Sequence, residues 1–116
     1  MEQHALRILL HLADGTRYPI DPGDIYLLEA EGGETHIRTR AAETLLDVRP
    51  LGDLEPLFQI HGFVRIHRSY VVNPHRIRLI RPRENEGWEV KLAPPVNRVL
   101  PVSRDLTEQL WTAFGE

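Results

Sequence analysis

The chain has no cysteine. Disulfides, thiol catalysis and the common structural zinc sites are therefore excluded, and the composition fits a reducing cytoplasm. No apolar stretch approaches the length of a membrane span, and Met1 leads into polar residues instead of a signal peptide. Lysine is nearly absent: thirteen of the fourteen basic residues are arginine. The whole also lacks an excess of positive charge, with a formal net charge of −3. Taken as a total, that value argues against an anionic partner.

The distribution of charge reverses the argument. Residues 1–59 hold five Arg against eleven acids, and residues 105–116 hold three acids and no base. Residues 60–104 hold nine Lys/Arg against three acids, a local balance of +6, together with His61, His67 and His75. Arginine's planar fork suits bidentate contacts to phosphate or guanine. At 116 residues, 41% hydrophobic and 27% charged, the sequence fits one globular domain, residues 1–116, with a sizeable core.

Nine prolines and eight glycines punctuate short apolar segments, a β-rich texture. Residues 5–12 read as a strand ending at the turn Asp14-Gly15. After the turn Pro22-Gly23, Ile25 to Leu28 is apolar on both faces and reads as a central strand. Glu31-Gly32-Gly33-Glu34 is a loop. In residues 35–40, Thr35, Ile37 and Thr39 share one face while His36, Arg38 and Arg40 share the other. Residues 44–48 are another strand. Leu51, Leu54, Leu57 and Phe58 lie at helical spacing, which predicts a short internal helix despite Gly52 and Pro56.

Residues 63–72 read as one strand-like run closed by the turn Asn73-Pro74. Arg76 to Ile80 is extended, Glu86-Gly87 is a hairpin turn, and Trp88, Val90 and Leu92 alternate with Glu89 and Lys91. Pro94-Pro95 turns the chain into Val99 to Val102. Ser103 predicts an N-cap, and Leu106, Leu110 and Phe114 form the apolar stripe of a closing helix, with Trp111 beside them. The expected fold class is mostly β with small α content: several short antiparallel sheets, a short internal helix and a C-terminal helix.

Within the run Phe63-Val64-Arg65-Ile66-His67-Arg68-Ser69-Tyr70-Val71-Val72-Asn73, a cationic-polar triplet interrupts an apolar strand. Six histidines invite a metal, but no ligand spacing of a known type is present, so no metal site and no cofactor are expected. Ser69 and Ser103 are the only serines, and neither lies in a nucleophile elbow. His67 and Ser69 can be drawn as the pair of a small nuclease or hydrolase, which stays open as an alternative. So does a β-rich protein-interaction module that has lost DNA binding. Helix-turn-helix, zinc-finger and basic-zipper patterns are all missing, so a DNA reader here would use loops and strand ends.

Three ordered motifs resemble the LytTR DNA-binding domain family. Phe63 to Asn73 resembles its signature, Asp24-Ile25-Tyr26-Leu27-Leu28-Glu29-Ala30-Glu31-Gly32 its early strand, and Pro101-Val102-Ser103-Arg104 the approach to its last helix. The likeness runs from about Leu6 to Phe114. It implies a bacterial transcription regulator, non-enzymatic, that reads promoter DNA through loops and strand ends in the major groove. It also implies imperfect direct repeats, with a second copy of the domain on each site. Carried over position by position, it assigns base contacts to Arg68, to Arg104, and to Glu34, Thr35 or His36. Ser69, Ser103 and Arg65 fall to phosphate, with Arg38 and Arg76 as further phosphate candidates. Tyr70 and Val72 fall to the core, and Asn73 to the turn before Pro74. Many members carry a receiver or membrane-bound input domain ahead of this one. Here the domain begins within a few residues of Met1, so the chain is read as a stand-alone regulator or an excised fragment.

Overall fold

The computed structural model describes residues 6–41 and 43–116. Ala5, where the first strand was expected to start, lies outside them. The described residues form ten strands in three antiparallel sheets and two α-helices, the mostly β architecture expected. Strands β1 (Ile8–His11) and β2 (Arg17–Ile20) make a hairpin. Strand β2 was not foreseen, because Pro19 within it removes a donor and hides the strand pattern.

The middle sheet has five strands. They are β3 (Ile25–Glu31), β4 (Glu34–Thr39), β5 (Thr44–Asp47), β6 (Val64–His67) and β7 (Tyr70–Val72), in the order β5-β4-β3-β7-β6. Strand β3 is central, as its two apolar faces require, with Ile25 to Leu28 all buried. Its hairpin to β4 turns at Gly32 and Gly33, both at positive φ (57° and 89°), the conformation that a two-residue hairpin demands. Strand β4 buries Thr35, Ile37 and Thr39, the three residues that its alternation set on one face.

The third sheet contains β8 (Ile77–Pro82), β9 (Trp88–Leu92) and β10 (Val99–Val102), in the order β10-β9-β8. Helix α1 (Leu51–Gln59) buries Leu51, Leu54 and Phe58. Leu57, counted in the expected apolar stripe, is 42% exposed, because residues 51, 54 and 58 already fill the 3.6-residue period. The closing helix is shorter than its sequence stripe suggests. Arg104–Leu106 is a 3-10 turn, and helix α2 spans only Thr107–Thr112. Leu110 is buried, whereas Phe114 lies past the helix end, half exposed.

Two apolar clusters sit on the two faces of the five-stranded sheet. Ile8, Leu10 and Ile20 of the first hairpin pack with Leu54 and Phe58 of α1 against Leu28, Ile37 and Val71. On the other face, Val90, Leu92, Leu100 and Val102 of the third sheet pack with Leu110 against Leu27, Val64 and Val72. This double cover holds both ends of β3 and β7 in fixed positions.

Candidate nucleic-acid interface

The Phe63 to Val72 run is not one strand. It is a hairpin whose two turn residues are Arg68 and Ser69, between β6 and β7. The correction has a local cause. Neither Arg68 nor Ser69 has a positive φ, so the turn lacks the glycine or asparagine that marks tight hairpins in sequence. The base-reading candidate Arg68 thus stands at a tip, exposed to solvent, instead of at a strand end. Among the described residues its guanidinium has no ion-pair or hydrogen-bond partner.

The pairing register brings other loops to the same end of the sheet. Ala30 N–H, at the end of β3, donates to the Ser69 carbonyl at 2.9 Å. Glu31 pairs with Glu34 across the β3–β4 turn, and Thr35 with Asp47 at the end of β5. Ser103 N–H donates to the Ile66 carbonyl at 2.8 Å, fixing the start of the last 3-10 turn beside the hairpin. Three segments widely separated in sequence, around residues 31–36, 67–69 and 103–104, therefore share one rim. An open depression of about 550 Å³ lies between the last two, lined by Arg65, His67 and Arg68 with Ser103, Asp105 and Gln109.

The site residues named from sequence fare differently on this rim. Arg104 is 86% exposed, with Glu86 of the β8–β9 turn 3.9 Å away. Ser103 and Ser69 are half-buried. The Ser103 hydroxyl does not cap the last helix. Its carbonyl instead accepts from the Leu106 N–H and the Thr107 hydroxyl. Glu34 and His36 are half-buried near the β3–β4 turn, with His36 Nδ1 3.9 Å from Glu31. Thr35 is wholly buried and its hydroxyl donates to the Arg49 carbonyl at 2.8 Å, so it cannot reach a base edge.

Three arginines proposed for phosphate lie elsewhere or are engaged. Arg76 donates from Nε and Nη2 to the Gly23 carbonyl and stacks over the Tyr26 ring, at the start of β3 and the opposite end of the sheet. Arg38 sits four residues along β4 from Glu34, about 13 Å for an extended strand. Arg65 forms an ion pair with Glu55 of α1 at 2.6 Å. Asn73 serves its turn as expected, accepting from the His75 N–H while its side-chain amide donates to the Ile25 carbonyl.

His67 and Ser69 do not form a catalytic dyad. The His67 Nδ1 accepts from the Ser69 backbone N–H at 3.0 Å, and its ring lies tilted against Tyr70, 5.2 Å between centroids. The imidazole thus props the turn, and its neutral form carries the proton on Nε2. Among the described residues, no three histidines, cysteines or acids converge as metal ligands. No described helix is long and apolar enough to cross a membrane.

Sequence reasoning missed the acids that organise the rim. Glu29 receives two hydrogen bonds from Arg98, each 3.0 Å, across 69 residues. Those bonds hold its carboxyl below the usual range, despite the desolvation that opposes them. Glu55 and Glu86 likewise touch Arg65 and Arg104. No periodicity or spacing points to such partners.

The family description of the LytTr DNA-binding domain matches residues 15–115. The sensory transduction protein LytT of Oceanobacillus iheyensis is 30% identical over 95 residues, covering 82% of this chain and 39% of that protein. The CO-responsive transcriptional regulator RcoM of Rhodospirillum rubrum is 30% identical over 81 residues, 70% of this chain and 34% of that one. The chain thus spans less than two-fifths of the length of either relative. A solved LytTr DNA-binding domain from Bacillus cereus superposes with a TM-score of 0.77 at 23% identity, covering 97% of this chain and 100% of that one.

Proposed function

The chain belongs to the LytTr DNA-binding domain family, and from that premise we propose that it is a sequence-specific DNA-binding module of a transcription regulator. Residues 1–116 act as one such module, non-enzymatic and without a cofactor, working where the DNA is, in the cytoplasm. It reads promoter DNA with the rim that collects the Arg68 hairpin, the Ser103-Arg104 turn and the β3–β4 turn. The supporting observation is that shared rim, with an arginine at the hairpin tip whose guanidinium has no partner among the described residues. Arg68 and Arg104 take base edges in the major groove, where an arginine fork matches the O6 and N7 of guanine. Ser69 and Ser103 face phosphate. Glu34 and His36 flank a third contact, at the β3–β4 turn. A second copy binds the adjacent half of a direct repeat.

Selection of bound sequences from a random duplex library tests specificity, repeat spacing and stoichiometry together. On the selected site, Arg68→Ala and Arg104→Ala each lower specific affinity by about 1–3 kcal/mol. Unchanged gel-shift affinity for both variants, with each folded, overturns the site. Binding that does not weaken with salt overturns DNA recognition itself, since phosphate contacts release counterions. That last outcome is the one expected of a module that only binds proteins.

A further inference from the structure

The His67 ring and the Ala30 N–H hold Ser69 in the reading hairpin, but the ladder leaves the other turn residue, Arg68, short of support. Strand β6 is the edge of its sheet. Its ladder slips between Arg65 and His67, a bulge that leaves Ile66 without a partner on β7. The two turn residues then keep negative φ, so the turn is not one of the primed types whose twist matches the flanking strands. A bulge followed by an unprimed turn bends the strand and loosens the register at its end. Something outside the ladder has to fix the direction in which Arg68 points.

Arg65 occupies that place. Its Nε donates to the His67 carbonyl at 2.9 Å and its Nη2 to the Arg68 carbonyl. The third nitrogen, Nη1, donates to Glu55 Oε1 at 2.6 Å, and Glu55 stands on α1. One planar fork therefore ties the two tip carbonyls to a helix that is anchored in the core by Leu54 and Phe58. All three guanidinium nitrogens are engaged and the charge is matched by a carboxylate. A guanidinium so committed is poorly placed to grip phosphate.

We infer that Arg65 and Glu55 are a positioning pair that aims the Arg68 tip and so sets sequence discrimination, without touching DNA. This rests on the DNA-reading assignment of the rim. Arg65→Lys keeps the charge but loses the rigid fork. Glu55→Gln keeps the shape and removes the anchor's charge.

The test measures affinity for the selected duplex and for a scrambled one, across a salt series, for the native chain and the variants Arg65→Lys, Arg65→Gln, Glu55→Gln and Glu55→Gln/Arg65→Gln. Positioning predicts that each single variant loses about tenfold of the preference for the selected duplex, a fraction of one bidentate base contact. Scrambled-duplex affinity and the salt slope stay as they were. The double variant is no worse than Arg65→Gln alone, because both changes break one linkage. A phosphate role predicts instead a uniform loss on both duplexes and a slope shallower by about 0.9 when Arg65 becomes Gln, with full rescue by Lys. Either of those results overturns the inference. Circular dichroism keeps folding separate, and Glu55→Gln leaves every rim arginine in place should the Arg65 variants unfold. If the native chain shows no preference between the duplexes, the reading of function fails first, and this inference falls with it.

Discussion

Asp47 shows how a single charged residue can be buried and still support the fold. Its side chain is 0% exposed. It accepts from the His11 N–H at 2.8 Å, and from the Arg49 N–H, Nε and Nη2 at 3.0, 3.0 and 2.9 Å. Burial pushes its carboxyl upward, but the donors from Arg49 and His11 outweigh that and hold it below the ordinary range. The folded value is therefore lower than the unfolded one, near 4. The stabilisation is present above about pH 4 and is lost as pH falls through the folded value. Asp47→Asn leaves Arg49 without its counter-charge and lowers stability by about 3 kcal/mol at pH 7. Urea unfolding at pH 7 and at pH 3 checks both points: the native chain weakens on acidification, and the Asn variant weakens less. Most arginines of the basic segment and its neighbours have similar commitments. Residue counts therefore overstate the charge that is free to meet DNA.

At the scale of an element, the end of α1 decides where the reading hairpin begins. Gly62 has φ +87°, and its N–H donates to the Gln59 carbonyl while the Phe63 N–H donates to the Phe58 carbonyl. These two bonds make a Schellman motif, completed by the Phe58 and Phe63 rings meeting edge to face at 5.0 Å. The chain leaves the helix with Phe63 already in the core, and β6 follows at once. Gly62→Ala forces a Cβ into the left-handed region and costs about 1–2 kcal/mol. Phe58→Ala removes a fully buried ring that also closes this motif, and costs about 3–5 kcal/mol. Shifts in the urea midpoint at constant slope measure each, and Gly62→Ala should leave a folded protein whose DNA preference can still be assayed.

For the whole molecule, the segregation of charge matters more than its sum. The rim arginines Arg68 and Arg104 face solvent, while Arg65, Arg76 and Arg98 are held by Glu55, Gly23 and Glu29. The net charge of the whole chain, −3 with the rim arginines included, opposes indiscriminate attachment to phosphate. The expected outcome is a shallow salt dependence, about two to four phosphate equivalents for each bound copy. A log–log plot of affinity against salt on the selected duplex gives that number directly. A much steeper slope would bring Arg78 and Arg81 on β8, and Arg83 just past its end, into the interface.

Sequence alone determined what depends on neighbours along the chain. The alternation in residues 35–40 and 88–92, the spacing of Leu51, Leu54 and Phe58, and the glycine turns at 32–33 and 87 all specify local geometry by period or by φ. The three ordered motifs carried the family likeness for the same reason, since they are strings. Tertiary structure decided which strings meet. The hairpin at Arg68-Ser69 carries no turn signal, because its residues keep negative φ. The alternation put Thr35 on one face with Ile37 and Thr39, yet only the packed sheet buries that face and, with the bond to the Arg49 carbonyl, removes Thr35 from the reading surface. Arg76 and Arg68 belong to one basic segment, but strand order sends them to opposite ends of β3. Glu55 and Arg65 lie ten residues apart in sequence, and only the packing of α1 on the sheet turns that separation into a contact. A strand's faces are fixed by its own period, whereas the end that meets another loop is fixed by pairing across many intervening residues.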